Sequence, residues 1–513
     1  MSSADSLSDE KSIWPKRAEI MKLDPLITTT LQKVREAGGN PGSLYVVGGL
    51  LRDLRLNRPP RHANVDLAVP SGAVWFAQHL AKALGGAYVL LDEPMGSARV
   101  VIEAADEDGT SRKVELDVND FRAPTIEEDL RLRDFTFNAM AVRLDDWLAN
   151  PATPAPLLDP LGGARALADR AIRACFPDTF KADPLRILRA FRFQAELGFM
   201  PEPQTQEWMH TAVPLLTNVS WERIRDELFL ILETDRAHAA FTHMDKLGIL
   251  DALLPELAAG REVDQGDFHH LDVLEHQLEA LRIGDEMLKD FAEFSPTLHP
   301  VLADYCAQPF VEKRTRKGMI KLGALLHDIG KPSMRQVHPD GEIWFIGHEH
   351  SGAELADPLA RRMCLSNREA EILVTLVRHH LHPGFLSREA QLTRRAIYRF
   401  YKDLGESGPA CLLMWWCDRM ATRGSKSRLD QVDEQHRFLE EMLSAYFFKA
   451  EEVVRPPRLV DGHQLMRTFG LKPGPKIGEL LALIEEAQAE GRVSSAEEAL
   501  QLAKEALDNA FPS

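Results

Sequence analysis

Two oxygen-bearing side chains, Asn64 and Asp66, stand two apart in the run ANVDLAV. On a strand that spacing puts both on one face. Upstream, SLYVVGGLLRDL carries Gly48 and Gly49 between a short apolar run and a helical one, with Arg52 in the first turn of the latter. Residues without a Cβ let backbone N–H groups approach an anion, a helix N-terminus adds partial positive charge, and a guanidinium completes the set. A Gly pair before a helix is more often a plain turn, and the paired Asn64 and Asp66 are what give this one a chemical reading. A second pair, Glu115 and Asp117, shares a face in VELDV. Farther along, Asp183 and Arg186 stand three apart, which places them on one helix face. From about His269 histidines gather in a suggestive order: His276, His327 with Asp328, His348, His379 with His380, then Asp418. Imidazole nitrogens and carboxylate oxygens presented from separate helices suit a divalent transition metal, and a His-Asp doublet supplies two ligands from one turn. The competing reading is a helical bundle with buried, hydrogen-bonded histidines.

These groups need elements to hold them. Strands are expected over Leu44–Val47, Asn64–Val69, Ala87–Leu91, Ala98–Glu103 and Lys113–Val118, and helices over Asp24–Ala37, Leu50–Leu56 and Ala73–Leu84. The alternation implies a small mixed sheet with helices on one side. The rest of the chain has helical periodicity. The fold class is therefore α+β, mostly helical, in 513 residues that suffice for three or four domains. The expected division is a loose N-terminus 1–22, an α+β head 23–160, a helical neck and body 161–260, a helical metal-binding domain 261–425 and a helical tail 426–513. A net charge of −17 makes nonspecific nucleic-acid binding unfavourable, so any RNA contact needs a local basic surface. One such run, KRTRKGMIK over Lys313–Lys321, reads equally as a solvated loop. Five scattered cysteines without a C-x-x-C pair argue against a disulfide framework and a thiolate zinc site. The polar start lacks a signal-type apolar stretch, and no run approaches the roughly 18 apolar residues of a membrane span, so a cytoplasmic protein without a membrane partner is expected.

In order and spacing, GG…RD…NVD resembles the signature of the class II tRNA nucleotidyltransferase and bacterial poly(A) polymerase family, in its branch with a C-terminal HD domain. The resemblance runs from about Leu44 to Leu507. It implies catalytic positions at Asn64, Asp66 and Asp117, with Mg²⁺ held by carboxylates. Asn64 stands where the family has an aspartate, and Glu115 is a candidate to restore the missing charge. EEDLRLRDFTFNAMA resembles the RRD-x-x-x-NA motif, which assigns Arg133, Asp134 and Asn138 to the sugar and triphosphate, beside Gly48, Gly49 and Arg52; Leu132 replaces its first arginine. LDPLGGA resembles the hinge after the head. ADPLR matches the Glu-Asp-x-x-Arg motif without its Glu, at Ala182. There Asp183 accepts from an exocyclic amino group while Arg186 donates to the neighbouring ring atom, which suits the edges of C and A and misfits U and G. A surface ion pair is the alternative. Arg189 extends this basic face toward an RNA 3′ end.

The later histidines resemble the HD phosphohydrolase fold. That likeness implies metal ligands at His276, His327, Asp328 and Asp418, with His348 and either His379 or His380 for a second ion. In the tail, Gly474-Pro475 opens a helix whose N–H groups face either a backbone phosphate or only a plain hairpin. The implied activity is template-independent addition of C, A or both from CTP and ATP to the 3′ end of tRNA or another RNA. Two alternatives remain: a head disabled by Asn64 that binds RNA or nucleotide beside an active HD phosphatase or phosphodiesterase, and a poly(A) polymerase.

Overall fold

The computed structural model describes residues 25–38, 43–59, 63–105, 111–149, 156–311, 314–427 and 429–510. The expected loose segment 1–22 and Lys313 lie outside them. The chain divides into two compact units, Met1–Asn218 and Val219–Ser513, so the division falls inside the helical span 161–260.

The first unit opens with α1 (Pro25–Glu36), followed by β1 (Tyr45–Val47), α2 (Gly49–Arg55), β2 (Ala63–Val69), α3 (Ala73–Leu84), β3 (Ala87–Asp92), β4 (Ser97–Ala105), β5 (Ser111–Asp120), α4 (Ile126–Arg131) and β6 (Ala141–Arg143). The strands form one mixed sheet in the order β3-β4-β5-β2-β1-β6. Only β2 and β5 run parallel, which their long connection through α3, β3 and β4 permits. Their register decides the site. Asn64 lies opposite Glu115 and Asp66 opposite Asp117, so four polar side chains share one face. Antiparallel β4 brings Arg99 opposite Asp117. The other face is apolar, with Val65, Leu67, Val114, Leu116 and Val118 fully buried, and α3 covers part of the sheet with Phe76, Ala77 and Leu80. Burying that face fixes the register, since a slip by one residue would turn the carboxylates into the core.

After α4 the chain makes a single 3₁₀ turn, Thr136–Asn138, against the helix Arg186–Leu197. Phe135 and Phe137 pack edge-on to Phe193, with centroids 5.7 and 5.2 Å away. This aromatic cluster ties the arginine-bearing helix to the segment Arg133–Asn138.

The second unit is almost wholly helical. Val273–Met287, Arg316–Leu326, His348–Arg362, Asn367–His379 and Gly408–Ala421 supply the histidine-bearing core. The basic run proves to be internal framework, neither loop nor RNA surface. Arg314 pairs with the fully buried Glu369, Arg316 with Glu406, Lys317 with Asp235, and Lys321, itself fully buried, with Asp285 and the Thr234 carbonyl. Each cation of this run among the described residues thus has an anionic partner within the unit. In the tail, Gly462–Phe469, Pro475–Ala489 and Ala496–Ala510 close a small core of their own around Leu465, Leu480 and Ile484. Among the described residues no helix is long and apolar enough to cross a membrane, and the five cysteines are free thiols.

Candidate functional site

The head site begins at Gly48. Its φ of 74° and ψ of −133° belong to glycine, and a Cβ there would lie 2.9 Å from Asp66 Oδ2. The turn therefore sits directly against the Asp66 carboxylate, which accepts the Gly49 N–H, and Arg133 Nη1 lies 3.9 Å from the same Cβ position. Burial, then the neighbouring Asp117, push the Asp66 carboxyl above its ordinary range, and Arg133 only partly opposes them. An electropositive ligand between Asp66 and Asp117 would relieve that repulsion.

Asp117 is held by a residue that pattern reading missed. Arg99 donates to it twice, Nε to Oδ1 at 2.6 Å and Nη2 to Oδ2 at 2.8 Å, and its Nη1 lies 2.7 Å from Glu115 Oε2. Glu115 is thus turned to Arg99 rather than joining Asp66 and Asp117 in one ion-sized cluster. Asn64 Nδ2 reaches Asp117 Oδ2 at 3.4 Å, and Asn64 Oδ1 is a buried acceptor without a hydrogen-bond partner. Two carboxylates and an orphaned amide oxygen on one sheet face suit a hard divalent cation.

The motif after α4 has tighter internal bonding than a surface helix start requires. A capping box of Thr125 and Glu128 fixes α4, and buried Asp129 accepts the Arg122 N–H and the Arg133 guanidinium. Asp134 accepts both arms of Arg189 at 2.9 and 2.6 Å, together with the Phe135 N–H and Asn138 Nδ2. Burial favours the neutral acid there, but Arg189 overcomes it and holds the carboxyl far below the usual range. Arg52 donates to Asp53 and to Asn138 Oδ1 and lies over the Phe193 ring. Arg189, Asp134, Asn138, Arg52 and Asp53 therefore form one hydrogen-bonded network, and Arg133 is held separately by Asp129.

Asp183 and Arg186 depart from expectation. They do not share a helix face. Asp183 ends the short helix Thr179–Ala182 in an extended conformation, φ −151° and ψ 101°, and Arg186 begins the next helix. Pro184 is the cause, since a residue preceding proline is pushed out of the helical region. The turn still holds the two close in the chain, Asp183 accepting the Leu185 N–H, while Arg186 reaches the carbonyls of Leu132 and Arg133. The linkage joins them to the motif segment.

The second unit gathers the predicted histidines into two adjacent groups, His276, His327 and Asp418, and Asp328, His348 and His380. Asp328 joins them: its Oδ2 lies 3.1 Å from His327 Nε2 and its Oδ1 lies 3.2 Å from His348 Nε2 and 3.5 Å from His380 Nε2. His327, His348 and His380 each direct Nδ1 to a backbone carbonyl, of Ala324, Phe345 and Val377, which turns Nε2 toward the cluster. His380 is the member of its doublet that takes part; half-buried His379 faces His382 instead. Burial opposes a charge on His327, but Asp328 and Asp418 raise its pKa to about 10, while both carboxyls are pulled well below their usual range. A charge on His327 offsets these carboxylates, as a divalent ion would. Sequence reasoning missed Lys331, 2.6 Å from Asp328 Oδ2, although it lies in the same HDIGK run. It also passed over His269, edge-on to His276 at 4.6 Å. Asp328, His348, His380 and Asp418 line a cavity of about 500 Å³ together with the exposed side chains of Phe268, Trp344, Ile346 and Phe385.

A sheet-borne pair of aspartates against a glycine turn, backed by an arginine network, defines a nucleotidyltransferase head, and the histidine cluster defines an HD domain. Comparison with known proteins agrees. Residues 44–173 match the family model for a poly(A) polymerase head domain and 198–260 that for a probable RNA and SrmB-binding site of polymerase A. Residues 273–403 match the HD domain and 426–503 a putative tRNA nucleotidyltransferase domain 2. An A-adding tRNA nucleotidyltransferase of Deinococcus radiodurans is 35% identical over 90% of this chain and 94% of its own. A CC-adding tRNA nucleotidyltransferase of Geobacter sulfurreducens is 30% identical over 91% and 93%. The chain belongs to the tRNA nucleotidyltransferase family. A CCA-adding enzyme solved with CTP shares the fold at a TM-score of 0.60, with 22% identity over 95% of this chain and 96% of its own.

Proposed function

We propose that this chain adds C, A or both to the 3′ end of tRNA from CTP and ATP in the cytoplasm. The observation that carries the reading is the in-register pair Asp66 and Asp117 against the Gly48–Gly49 turn, within a chain whose relatives are A-adding and CC-adding enzymes. Those relatives favour tRNA over poly(A) addition. Asp66, Asp117 and Asn64 Oδ1 would hold Mg²⁺, which lowers the pKa of an attacking 3′-hydroxyl and neutralises charge on the triphosphate. The chain's own residues do the rest. Gly49 and the start of α2 offer N–H groups to phosphate oxygens, Arg133 and Arg52 flank them, and Asp129 and Asn138 respectively hold those arginines in place. Asp183 and Arg186, at the turn behind them, read the base edge.

Incorporation of labelled CTP and ATP into tRNAs ending before CCA, after C and after CC tests the proposal. The native chain should extend at least one of them, and Asp66→Asn should abolish extension. A silent native chain beside an active Asn64→Asp variant would instead mean a head disabled at Asn64.

A second reading concerns the HD cluster. Two metal-sized groups sharing Asp328 on the floor of a cavity support metal-dependent phosphoester hydrolysis. Turnover of bis(p-nitrophenyl) phosphate with Mn²⁺, Co²⁺ or Ni²⁺ should disappear in Asp328→Ala; failure of every metal to support it would exclude the activity.

A further inference from the structure

Arg99 changes the cation count of the head. This inference rests on the nucleotidyltransferase reading but concerns only what the site binds. The sheet face offers three carboxylates, Asp66, Asp117 and Glu115, and one amide, Asn64. Arg99 occupies both oxygens of Asp117 and one of Glu115, at 2.6 to 2.8 Å. It stands on the edge of Asp117 that faces β4, while Asp66 lies on the other side, toward the Gly48 turn. The guanidinium is placed from a strand partner directly opposite Asp117, so it belongs to the sheet rather than to a mobile loop. A fixed positive charge therefore already offsets one of the two negative charges on the Asp117–Glu115 edge. Where a second aspartate would serve two ions, Asn64 brings no charge, and its Oδ1 remains buried and unpartnered on the Asp66 side.

We propose that the head binds a single divalent cation through Asp66, Asp117 and the neutral oxygen of Asn64, and that the Arg99 guanidinium stands in place of a second ion on the Asp117–Glu115 edge. Asn64 and Arg99 then form a matched pair: the loss of one negative charge accompanies a built-in positive one. Arg99 acts as a positioning residue. It fixes the Asp117 plane: Oδ2 accepts from both Arg99 and Asn64 Nδ2, and Oδ1, with one donor, keeps a lone pair for the ion.

The test is a Mn²⁺ binding isotherm followed by the electron paramagnetic resonance of free Mn²⁺, on the full chain without nucleotide or RNA. Ions held by the HD unit are counted in Asp66→Asn, and the head is the difference. The native chain should bind one ion above that background. Arg99→Met should tighten head binding at least about tenfold, because a unit charge within a few ångströms of the ion is removed, and Arg99→Met with Asn64→Asp should bind two. Arg99→Lys, which keeps the charge, should still bind one. Two head ions in the native chain, none at all, or an Arg99→Met variant with native count and affinity would overturn the proposal. Should Arg99→Met fail to fold, the native count against Asp66→Asn still decides. Nucleotide incorporation is measured separately. An active chain with two head ions refutes this inference alone, and an inactive chain with one refutes only the transferase reading.

Discussion

Replacing Gly48 by alanine should cost a moderate amount of stability and nearly silence the head. Two effects separate. At φ 74° and ψ −133° an L-residue is strained by about 1–3 kcal/mol. The second effect is steric: the new methyl would stand 2.9 Å from Asp66 Oδ2, well inside van der Waals contact. A flexible acid would rotate away, but Asp66 is tied to the Gly49 N–H and wedged beside Arg133, so relief must move the carboxylate or the turn by several tenths of an ångström. Displacements near 1 Å in a reacting constellation cost on the order of a hundredfold. The expected result is kcat/KM down by roughly 30- to 100-fold, about 2–3 kcal/mol of activation free energy, with a cooperative unfolding transition retained. Gly49→Ala is the internal control. Its Cβ would meet Arg52 Nη2 at 3.6 Å, ordinary contact, in helical backbone, so Asp66 stays in place and the loss, confined to phosphate approach at the Gly49 N–H, should be smaller than that of Gly48→Ala. The assay is steady-state incorporation of ATP and CTP into tRNA beside urea unfolding. A folded Gly48→Ala chain within threefold of native, or an equal loss in Gly49→Ala, would refute the argument that the turn positions Asp66.

Lys321→Ala should destabilise the second unit by about 3–5 kcal/mol, because it strands Asp285 as a buried unpaired charge; urea unfolding should show this, and tRNA affinity per folded molecule should not change, since no part of Lys321 reaches the surface. The HD unit freed of metal should lose stability as pH rises from about 6.5 toward about 10, because the folded His327 holds its proton where the unfolded one releases it. It should also lose stability as pH falls below about 6.5, where the unfolded chain protonates His269, His276 and His380 that burial keeps neutral, and again below about 4, where the unfolded Asp328 and Asp418 take up protons that the folded ones resist. Bound metal removes the alkaline slope, since ligation needs a neutral imidazole. Thermal melts of chelator-treated and Mn²⁺-loaded chain across pH 3–10 check this, and a metal-free melting temperature flat between pH 7 and 10 would contradict it.

The parts of the site legible in the sequence are those in which spacing and secondary structure coincide. Period-2 alternation in ANVDLAV and VELDV puts Asn64, Asp66, Glu115 and Asp117 on one face whatever the strand order, and the observed register confirms their meeting. The histidines were legible for another reason. Each comes with its own helical segment, and buried imidazoles drawn from four segments, with Asp418 from a fifth, must converge if the helices share a core. What failed was whatever depended on a partner distant in sequence. Arg99 lies in SARVVIEAA, a plain alternating strand, and only antiparallel pairing with β5 reveals that it faces Asp117. The basic run Arg314–Lys321 reads as surface because its partners, Glu369, Glu406, Asp235 and Asp285, are scattered over the unit.

Asp183 failed locally, and more instructively. The i,i+3 spacing to Arg186 predicts a shared helix face, but Pro184 between them breaks the helix at its own N-terminal neighbour. The break has a consequence for recognition. A carboxylate on a helix face would be committed to the groove beside its own axis. At an extended kink, Asp183 is placed by the backbone of the turn while Arg186 is placed by the carbonyls of Leu132 and Arg133, so donor and acceptor are set by different elements. Fixing the two independently frees the spacing between them from the pitch of a helix, which is what the proposed base reading requires.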